Sequence, residues 1–543
     1  MIMLNRNKSL WPILLFILIL SGCMKVGPNY VRPPTDVAPN WLEAKDERVK
    51  TETAQYRAWW EAFNDPVLNR VIETAYHENL SLKIAGVRVL EARAQLGITV
   101  GNLYPQTQQV TSSTTYNSTS AQSFTGALSQ PVAAHASGSG KSSSTQVTLP
   151  SFWQDQINIT AAWEIDFWGK FRRAIESADA SLRMSLADYD SALVSLTADA
   201  ANSYVQIRTL EKRLQIAREN VETQKEGLQI AEARFEGGVT SERDVEQAKT
   251  LLYNTLATIP TLQAQLRQAR DALSVLLGLP PSDLAEVLGG SSDIPAPPPQ
   301  VAVGIPADLL RRRPDVRSAE LQAMAQCAQI GVAKASLLPA FSLTGSFGFL
   351  ATDAVNASLT DMFAWSARQA TVGPALQWNI LNYGAITNNV RVQDARFQEL
   401  LISYRNTVLT AQQQVEDSLA GFLRAQENAE FLAQSADAAK KSLDLAFIQY
   451  QQGSTDFTTV LTAQQALLTA QDSLASAMGS ISTNLVGIYR ALGGGWQIRE
   501  GQGIVSPDII EAMNKRTNWG KLLSPAAYMP SETERSTLRP PDW

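Results

Sequence analysis

Two stretches of this chain, 169–235 and 384–450, each run about 67 residues without a proline, whereas helices in globular proteins average about 11–12 residues. In the first, Leu193, Leu196, Ala200, Ile207, Leu210, Leu214, Ala217 and Val221 keep a 3,4 spacing with one position, Ser203, skipped. In the second, Val408, Ala411, Val415, Phe422, Ala425, Ala429, Leu432 and Ala436 keep the same spacing. A heptad seam held this far specifies a coiled-coil-like helix, about 100 Å long at 1.5 Å per residue. The alanines in the seam permit close helix approach. Polar residues on the remaining faces exclude a helix that faces lipid.

The two stretches belong to an internal repeat. An offset of about 215 residues aligns Trp163 with Trp378, Ile165 with Ile380, Gly169 with Gly384, Tyr189 with Tyr404, Phe235 with Tyr450, Gly238 with Gly453, Thr240 with Thr455, Val245 with Val460 and Gly278 with Gly493. Each long helix ends at a turn, Phe235 to Ser241 and Tyr450 to Asp456. Glycine supplies the left-handed residue that closes a helix. Ser241 or Asp456 can cap the next helix, and Ser241 with Asp244 resembles a capping box. The returning helices are expected at about 241–277 and 456–492, so each repeat holds a long helical hairpin.

A different period appears beside each long helix. Ile157, Ile159, Ala161, Trp163, Ile165 and Phe167 alternate with polar or small residues over about 155–167. Val372, Pro374, Leu376, Trp378 and Ile380 do so over about 370–380, where Pro374 weakens the pattern. Phe341, Leu343, Gly345, Phe347 and Phe349 alternate over about 340–350, and about 106–117 is mostly Ser, Thr and Gln with Val110 and Tyr116. Period two with one apolar face marks a strand. The first two strands are joined by a Ser/Gly-rich loop at about 118–152, the second two by about 351–369. Strands of this length and alternation suit a membrane β-barrel. Four strands cannot close a barrel, and an open edge in lipid leaves backbone groups unpaired. Chains must therefore share one, and two, three or four copies are all permitted at this point.

The 543 residues exceed what a single core holds, about 250–300. A net charge of −6 gives no argument for nucleic acid. Arg6 and Lys8 precede the apolar run from Leu10 to Leu20, which is followed by Leu20-Ser21-Gly22-Cys23. This is the layout of a secretory signal, too short to span a bilayer. No other stretch is apolar over 18 residues, so any membrane span must be made of strands. Cys23, His77, His135 and Cys327 lie far apart with no metal-ligand spacing, and no metal site or cofactor is expected. GxSxG, P-loop, HExxH and Rossmann fingerprints are absent, which argues against an enzyme and leaves no catalytic residue to name.

Several segments together resemble a known family. They are Gly22-Cys23 with Gly27-Pro28-Asn29-Tyr30-Val31-Arg32-Pro33, then Trp163 to Lys170, Arg234 to Ser241, Ile305 to Arg317, Gly331 to Ala335, and Tyr450 to Asp456 with Val460-Leu461. The chain resembles the outer-membrane factor (TolC-like) family, in its branch of NodT-type outer-membrane efflux lipoproteins. The resemblance implies an α+β membrane channel: a homotrimeric 12-stranded β-barrel, four strands per chain, continuous with a long coiled-coil α-helical barrel, with an equatorial mixed region and two internal repeats. It implies a division into a lipoprotein signal peptide 1–22, an N-terminal equatorial segment 23–60, a first repeat 61–278 with its tip near 236–241, a Pro-rich equatorial linker 279–308, a second repeat 309–493 with its tip near 451–456, and a C-terminal equatorial segment and tail 494–543.

The resemblance also implies cleavage before Cys23 and covalent lipid (palmitate) on that residue. Met24, where Asp would signal retention, resembles outer-membrane sorting. The implied location is the outer membrane, lipid-anchored and barrel-inserted, extending into the periplasm. The implied function is the passive exit duct of a tripartite RND-type efflux system that exports drugs or other small toxic compounds. Its partners would be a periplasmic adaptor, an inner-membrane RND transporter and outer-membrane lipid, with no nucleic acid. Two alternatives stay open: the channel of a type I protein secretion system, and a non-conducting structural envelope lipoprotein.

The resemblance implies that Asp456 places one carboxylate per chain in a ring at the periplasmic mouth, where acidic rings favour cations; a plain N-cap role is equally supported. Tyr450 and Phe235 are gate candidates or helix-end packing. Gly237, Gly238, Thr240, Gly453, Ser454 and Thr455 form the turns, which the resemblance implies also meet the adaptor. Trp153, Trp163, Trp365 and Trp378 flank or occupy strands and are candidates for an aromatic girdle. Arg311-Arg312-Arg313 reads as a solvated or capping face.

Overall fold

The computed structural model describes residues 25–34, 37–50, 52, 56–118, 151–289, 293–306, 312–353 and 359–524. The signal segment, Cys23, His135, Arg311, the loop 119–150 and the tail beyond 524 lie outside the described residues.

In chain order the elements are β1 Val49–Lys50, α1 Pro66–Glu78, α2 Leu80–Gly101, β2 Thr107–Asn117, β3 Phe152–Ile165, α3 Lys170–Glu236, α4 Glu242–Leu276, β4 Val301–Ala302, α5 Pro314–Ala335, β5 Ala340–Thr352, β6 Arg368–Gln377, α6 Ala385–Gln451, α7 Phe457–Ala491 and α8 Pro507–Arg516. The long helices α3 and α6 each have 67 residues, and the returning helices α4 and α7 each have 35. All eight seam positions named on α3 are buried. On α6, Ala425 and Leu432 are half-buried and the other six are buried.

Each long helix closes with a Schellman turn. Val239 N–H donates to the Arg234 carbonyl at 2.9 Å and Gly238 N–H to that of Phe235 at 2.9 Å. Ser454 and Gly453 repeat this on Gln449 and Tyr450. The pivots Gly238 (φ +69°) and Gly453 (φ +74°) occupy the left-handed region that glycine enters freely. Helix α4 continues through Pro260, whose ring lies on the exposed side.

Strands β2, β3, β5 and β6 form one antiparallel sheet in that order. The register brings Ile159 beside Val110 and Phe347, and Trp163 beside Leu343. Directly paired residues share a face. One face therefore carries Val110, Tyr116, Trp153, Ile157, Ile159, Trp163, Phe341, Leu343, Phe347, Phe349, Val372 and Leu376. The other carries Thr, Ser, Gln and Asn, with Glu164 as its one charged residue, bound to Lys170 at 2.9 Å.

The strands are displaced from their expected bounds for local reasons. β3 starts at Phe152 and stops at Ile165 instead of 167, because Asp166 turns away to accept the Phe171 and Arg172 N–H groups at the start of α3, both at 3.0 Å. β6 starts at Arg368 and stops at Gln377, leaving Trp378 and Ile380 in a turn whose Ile380 N–H donates to the Trp378 carbonyl. β5 extends to Thr352.

Around the middle of the helices runs irregular chain. β1 pairs in parallel with β4, joining the N-terminal segment to the 279–308 linker. Trp59 stacks on Tyr489 at 5.3 Å, and Trp41 Nε1 donates to the Gly304 carbonyl at 2.9 Å. The C-terminal segment joins them through Ile504, whose carbonyl lies against Gly86 so closely that a Cβ there would sit 2.5 Å away. Among the described residues no helix is long and apolar enough to cross a membrane.

Candidate functional site

The two turns lie at the end of the hairpins remote from the sheet, since each long helix leaves a strand and runs to its turn. Here the first hairpin meets the second through Ala231, Val245 and Ala248 against Leu443, Ala446, Tyr450, Phe457, Val460, Ala463 and Leu467. This apolar plug makes the two tips one unit.

Tyr450 is its centre. The ring is buried, tilted on Phe457 at 5.1 Å, and covered by the Arg234 guanidinium at 4.3 Å. Arg234 also donates to the Tyr450 carbonyl. Burial pushes the Tyr450 hydroxyl up, partly offset by the nearby Thr240 hydroxyl and the Arg234 charge. Phe235, its counterpart in the first repeat, is 42% exposed. The equivalence of the two positions in sequence thus ends in opposite environments, because only Tyr450 faces the other hairpin.

Asp456 is the N-cap of α7. Its Oδ1 accepts from the Thr459 N–H at 3.2 Å and from the Thr459 hydroxyl at 2.9 Å, and the residue stays exposed. The capping box expected of Ser241 and Asp244 is not formed. The Ser241 side chain makes no cap to the helix, and the Asp244 carboxylate is held by the hydroxyls of Thr240 and Ser241. Aspartate is one carbon shorter than the Glu or Gln of that motif and takes nearby hydroxyls instead. Gly237, Gly238, Gly453 and Ser454 are exposed at the tips, with Thr240 and Thr455 half-buried.

At the opposite pole, Trp153 and Trp365 lie at the loop end of the sheet, 46% and 68% exposed. Trp163 and Trp378 lie at the helix end, where their indoles donate to the carbonyls of Leu103 and Leu337, each at 3.0 Å. Trp153 and Trp163 share the apolar face and stand about 34 Å apart along β3 at 3.4 Å per residue. A tilt of about 40° reduces this to about 26 Å, near the height of the apolar band of membrane barrels, about 25 Å.

Of the two readings of the arginine run, Arg313 takes the capping one. Arg313 is buried, not solvated: its Nη1 donates to the Ala491 carbonyl at 2.6 Å, and its other nitrogens bind Asp315 and Gln414. It closes the C-terminal end of α7 from another helix, where a cation complements the dipole. Arg312 lies over the Tyr56 ring at 4.4 Å.

Periodicity gave no sign of Arg173. It donates to the Val26 and Gly27 carbonyls at 3.1 and 3.2 Å and to Asn29 at 2.8 Å. Gly27 meets Gly331 so closely that a Cβ on it would lie 2.5 Å from the Gly331 Cα. The sequence motifs around Gly27 and Gly331 are thus two sides of one contact. It seats residues 25–29 beside the junction of β3 and α3, where the Val26 N–H also donates to the Trp168 carbonyl at 3.1 Å. Among the described residues no cluster of His, Cys, Asp and Glu could hold a metal ion.

A sheet with an exposed apolar face, carried on helices that reach far from it, defines the class of outer-membrane channel proteins. Comparison with known proteins agrees. The family described as outer membrane efflux protein matches residues 71–279 and 305–494, and the chain belongs to that family. It is 30% identical over 455 residues to Nodulation protein T of Rhizobium leguminosarum bv. trifolii, covering 83% of this chain and 90% of that one. It is 30% identical over 501 residues to the toluene efflux pump outer membrane protein TtgC of Pseudomonas putida, covering 91% and 97%. The solved outer-membrane channel OprN superposes with a TM-score of 0.77 at 32% identity, over 87% of this chain and all of that one, 100%.

Proposed function

We propose that three copies of this chain assemble into one outer-membrane exit duct of an RND-type tripartite efflux system. The observation that carries the reading is the four-stranded sheet, apolar on one exposed face, polar on the other, and unpaired at both edge strands, β2 and β6. In lipid each unpaired backbone group costs several kcal/mol. Pairing β6 of one copy with β2 of the next removes every edge, and three copies give twelve strands. The polar face then lines a wet lumen, and the α3–α4 and α6–α7 hairpins continue it as a helical tunnel.

The duct holds no fuel. A pump in the inner membrane and a periplasmic adaptor supply energy and cargo at the tips. The printed name of TtgC assigns that relative to a toluene efflux pump, which supports small, apolar, toxic compounds as cargo here. Lipid on Cys23 fits the seating of residues 25–29 beside the base of the sheet, which leaves a two-residue reach from Lys25 to the membrane surface. Replacing Cys23 by Ala should abolish incorporation of labelled palmitate.

The test of the duct is in-cell crosslinking from Gly238 and Gly453 cysteine variants, with identification of the captured proteins, beside conductance of the purified protein in planar bilayers. Capture of an adaptor with an RND pump supports the reading. Capture of a peptide-exporting ABC transporter replaces it with protein secretion, and a particle that no tip variant makes conduct replaces it with a structural role.

A further inference from the structure

The apolar face of the sheet carries two charged residues among the described strands, Asp155 and Arg368, both at the loop end. Arg368 is its one basic residue. The register pairs it with Phe349, so its side chain stands on the lipid side of the barrel proposed above, and the inference rests on that reading.

Arg368 is already oriented. Its Nη1 donates to the Trp365 carbonyl at 2.6 Å, and the guanidinium lies over the Trp365 ring at 4.4 Å. Trp365 and Phe363 are 68% and 73% exposed, and Phe363 packs on Phe349 at 6.0 Å. The remaining guanidinium donors have no carboxylate partner among the described residues. Asp155 pairs with Ala351, two residues further out and two strands away, which sets it about 12 Å from Arg368 at strand spacings of about 4.8 Å.

Depth decides what this arginine meets. β6 spans ten residues, Arg368–Gln377, about 31 Å at 3.4 Å per residue. With a barrel tilt of about 40° this rises about 24 Å, close to the height of the apolar band. Arg368 thus stands in the outer part of the band, inward of Trp153 and Asp155, from where its long side chain reaches up to the headgroups. An arginine towards the interface is tolerated far better than one at the midplane. Its planar fork matches phosphate oxygens in two parallel hydrogen bonds, while Trp365 and Phe363 add exposed aromatic surface beside it at the loop end of the sheet.

We infer that Arg368, held by Trp365, is a headgroup clamp that binds the phosphate of a phosphorylated glycolipid in the outer leaflet, one per chain around the barrel.

The test uses the full-length assembly in nanodiscs of phosphatidylcholine with bis-phosphorylated lipid A, and reads bound lipid A by native mass spectrometry. Replacing one charge-assisted contact is expected to weaken retention about fivefold to tenfold in Arg368→Gln. Arg368→Lys should retain an intermediate amount, and dephosphorylated lipid A should bind wild type and variant alike. Equal retention of the phosphorylated lipid by wild type and Arg368→Gln overturns the clamp. Conductance in planar bilayers separates this from the barrel reading: conducting assemblies with equal retention sink the clamp alone, and a wild type that never inserts sinks the barrel.

Discussion

The Arg234 guanidinium of the first hairpin lies 4.3 Å from the centre of the Tyr450 ring of the second and donates to the carbonyl of that same residue. One side chain thereby ties the end of one long helix to the end of the other. A cation over an aromatic ring contributes about 0.5–2 kcal/mol. Arg234→Ala should therefore let the tips separate, raising the open population about fivefold to thirtyfold for a loss of about 1–2 kcal/mol. Arg234→Lys should fall between, since it keeps the charge but not the fork. Single-channel recording decides this, and open probability unchanged in both variants would show that the tie does not hold the tip.

Asp456 combines two roles that substitutions can separate. Its carboxylate caps α7 through Thr459 and remains exposed for a charge ring. Asn keeps the cap and removes the charge; Ala removes both, at about 1 kcal/mol for the cap. Both variants should lose cation preference in reversal-potential measurements under a salt gradient. Asp456→Ala alone should speed hydrogen exchange at 457–460 and widen the resting pore. A cation preference that survives both substitutions would leave Asp456 as a cap and nothing more.

Asp190 is fully buried on α3 and receives Arg499 of the C-terminal segment and Arg317 of α5, each through an Nη2–Oδ2 contact of 3.0 Å. Both arginines also lie over the Trp496 ring, at 5.1 Å for Arg317 and 5.6 Å for Arg499. Removing one partner leaves buried charge without compensation, typically about 3–5 kcal/mol. Asp190→Asn should therefore release residues 496–524 to limited proteolysis and lower the thermal midpoint. The double variant Asp190→Leu, Arg499→Met should recover part of the loss, because the apolar pair carries no desolvation cost and Arg317, 31% exposed, keeps its contact with water. Proteolysis unchanged in Asp190→Asn would place the anchor of this segment elsewhere.

What the sequence made legible was whatever has a period. The seam from Leu193 to Val221 and its copy set both long helices to within a residue, and the alternation from Phe341 to Phe349 gave the strand and its apolar face. Turn chemistry was legible through glycine, since Gly238 and Gly453 fall where a Schellman turn needs them. Contacts between residues far apart were not. Arg313 sits in a run that looks solvated, and its burial depends on Ala491 and Gln414, which no local pattern brings near. Tyr450 and Phe235 align in the repeat, yet which of them is buried follows from the order of hairpins in space. Strand ends moved where a side chain had other work, as at Asp166.

The belt should respond to acid through Arg48. This residue binds Asp46 with Nε at 2.9 Å and Nη2 at 2.7 Å, and Glu427 of α6 at 3.0 Å, fastening the N-terminal segment to the helices. Hydrogen bonds from the Arg48 side chain and backbone hold the Asp46 carboxyl down at about 2. The Arg424 and Arg48 side chains likewise lower that of Glu427. A depressed carboxyl contributes stability above its unfolded value, about 3.9 for Asp. That contribution is present at neutral pH and fades as pH falls through the folded value. The N-terminal segment should therefore stay closed at pH 5 and detach between about pH 4 and 2. Trp41, buried in the same segment, reports this by a shift of its fluorescence, compared with Trp41→Phe to isolate its signal. Arg48→Met should abolish that acid step while lowering stability at neutral pH. An acid transition of the same midpoint in Arg48→Met would show that other carboxylates govern it.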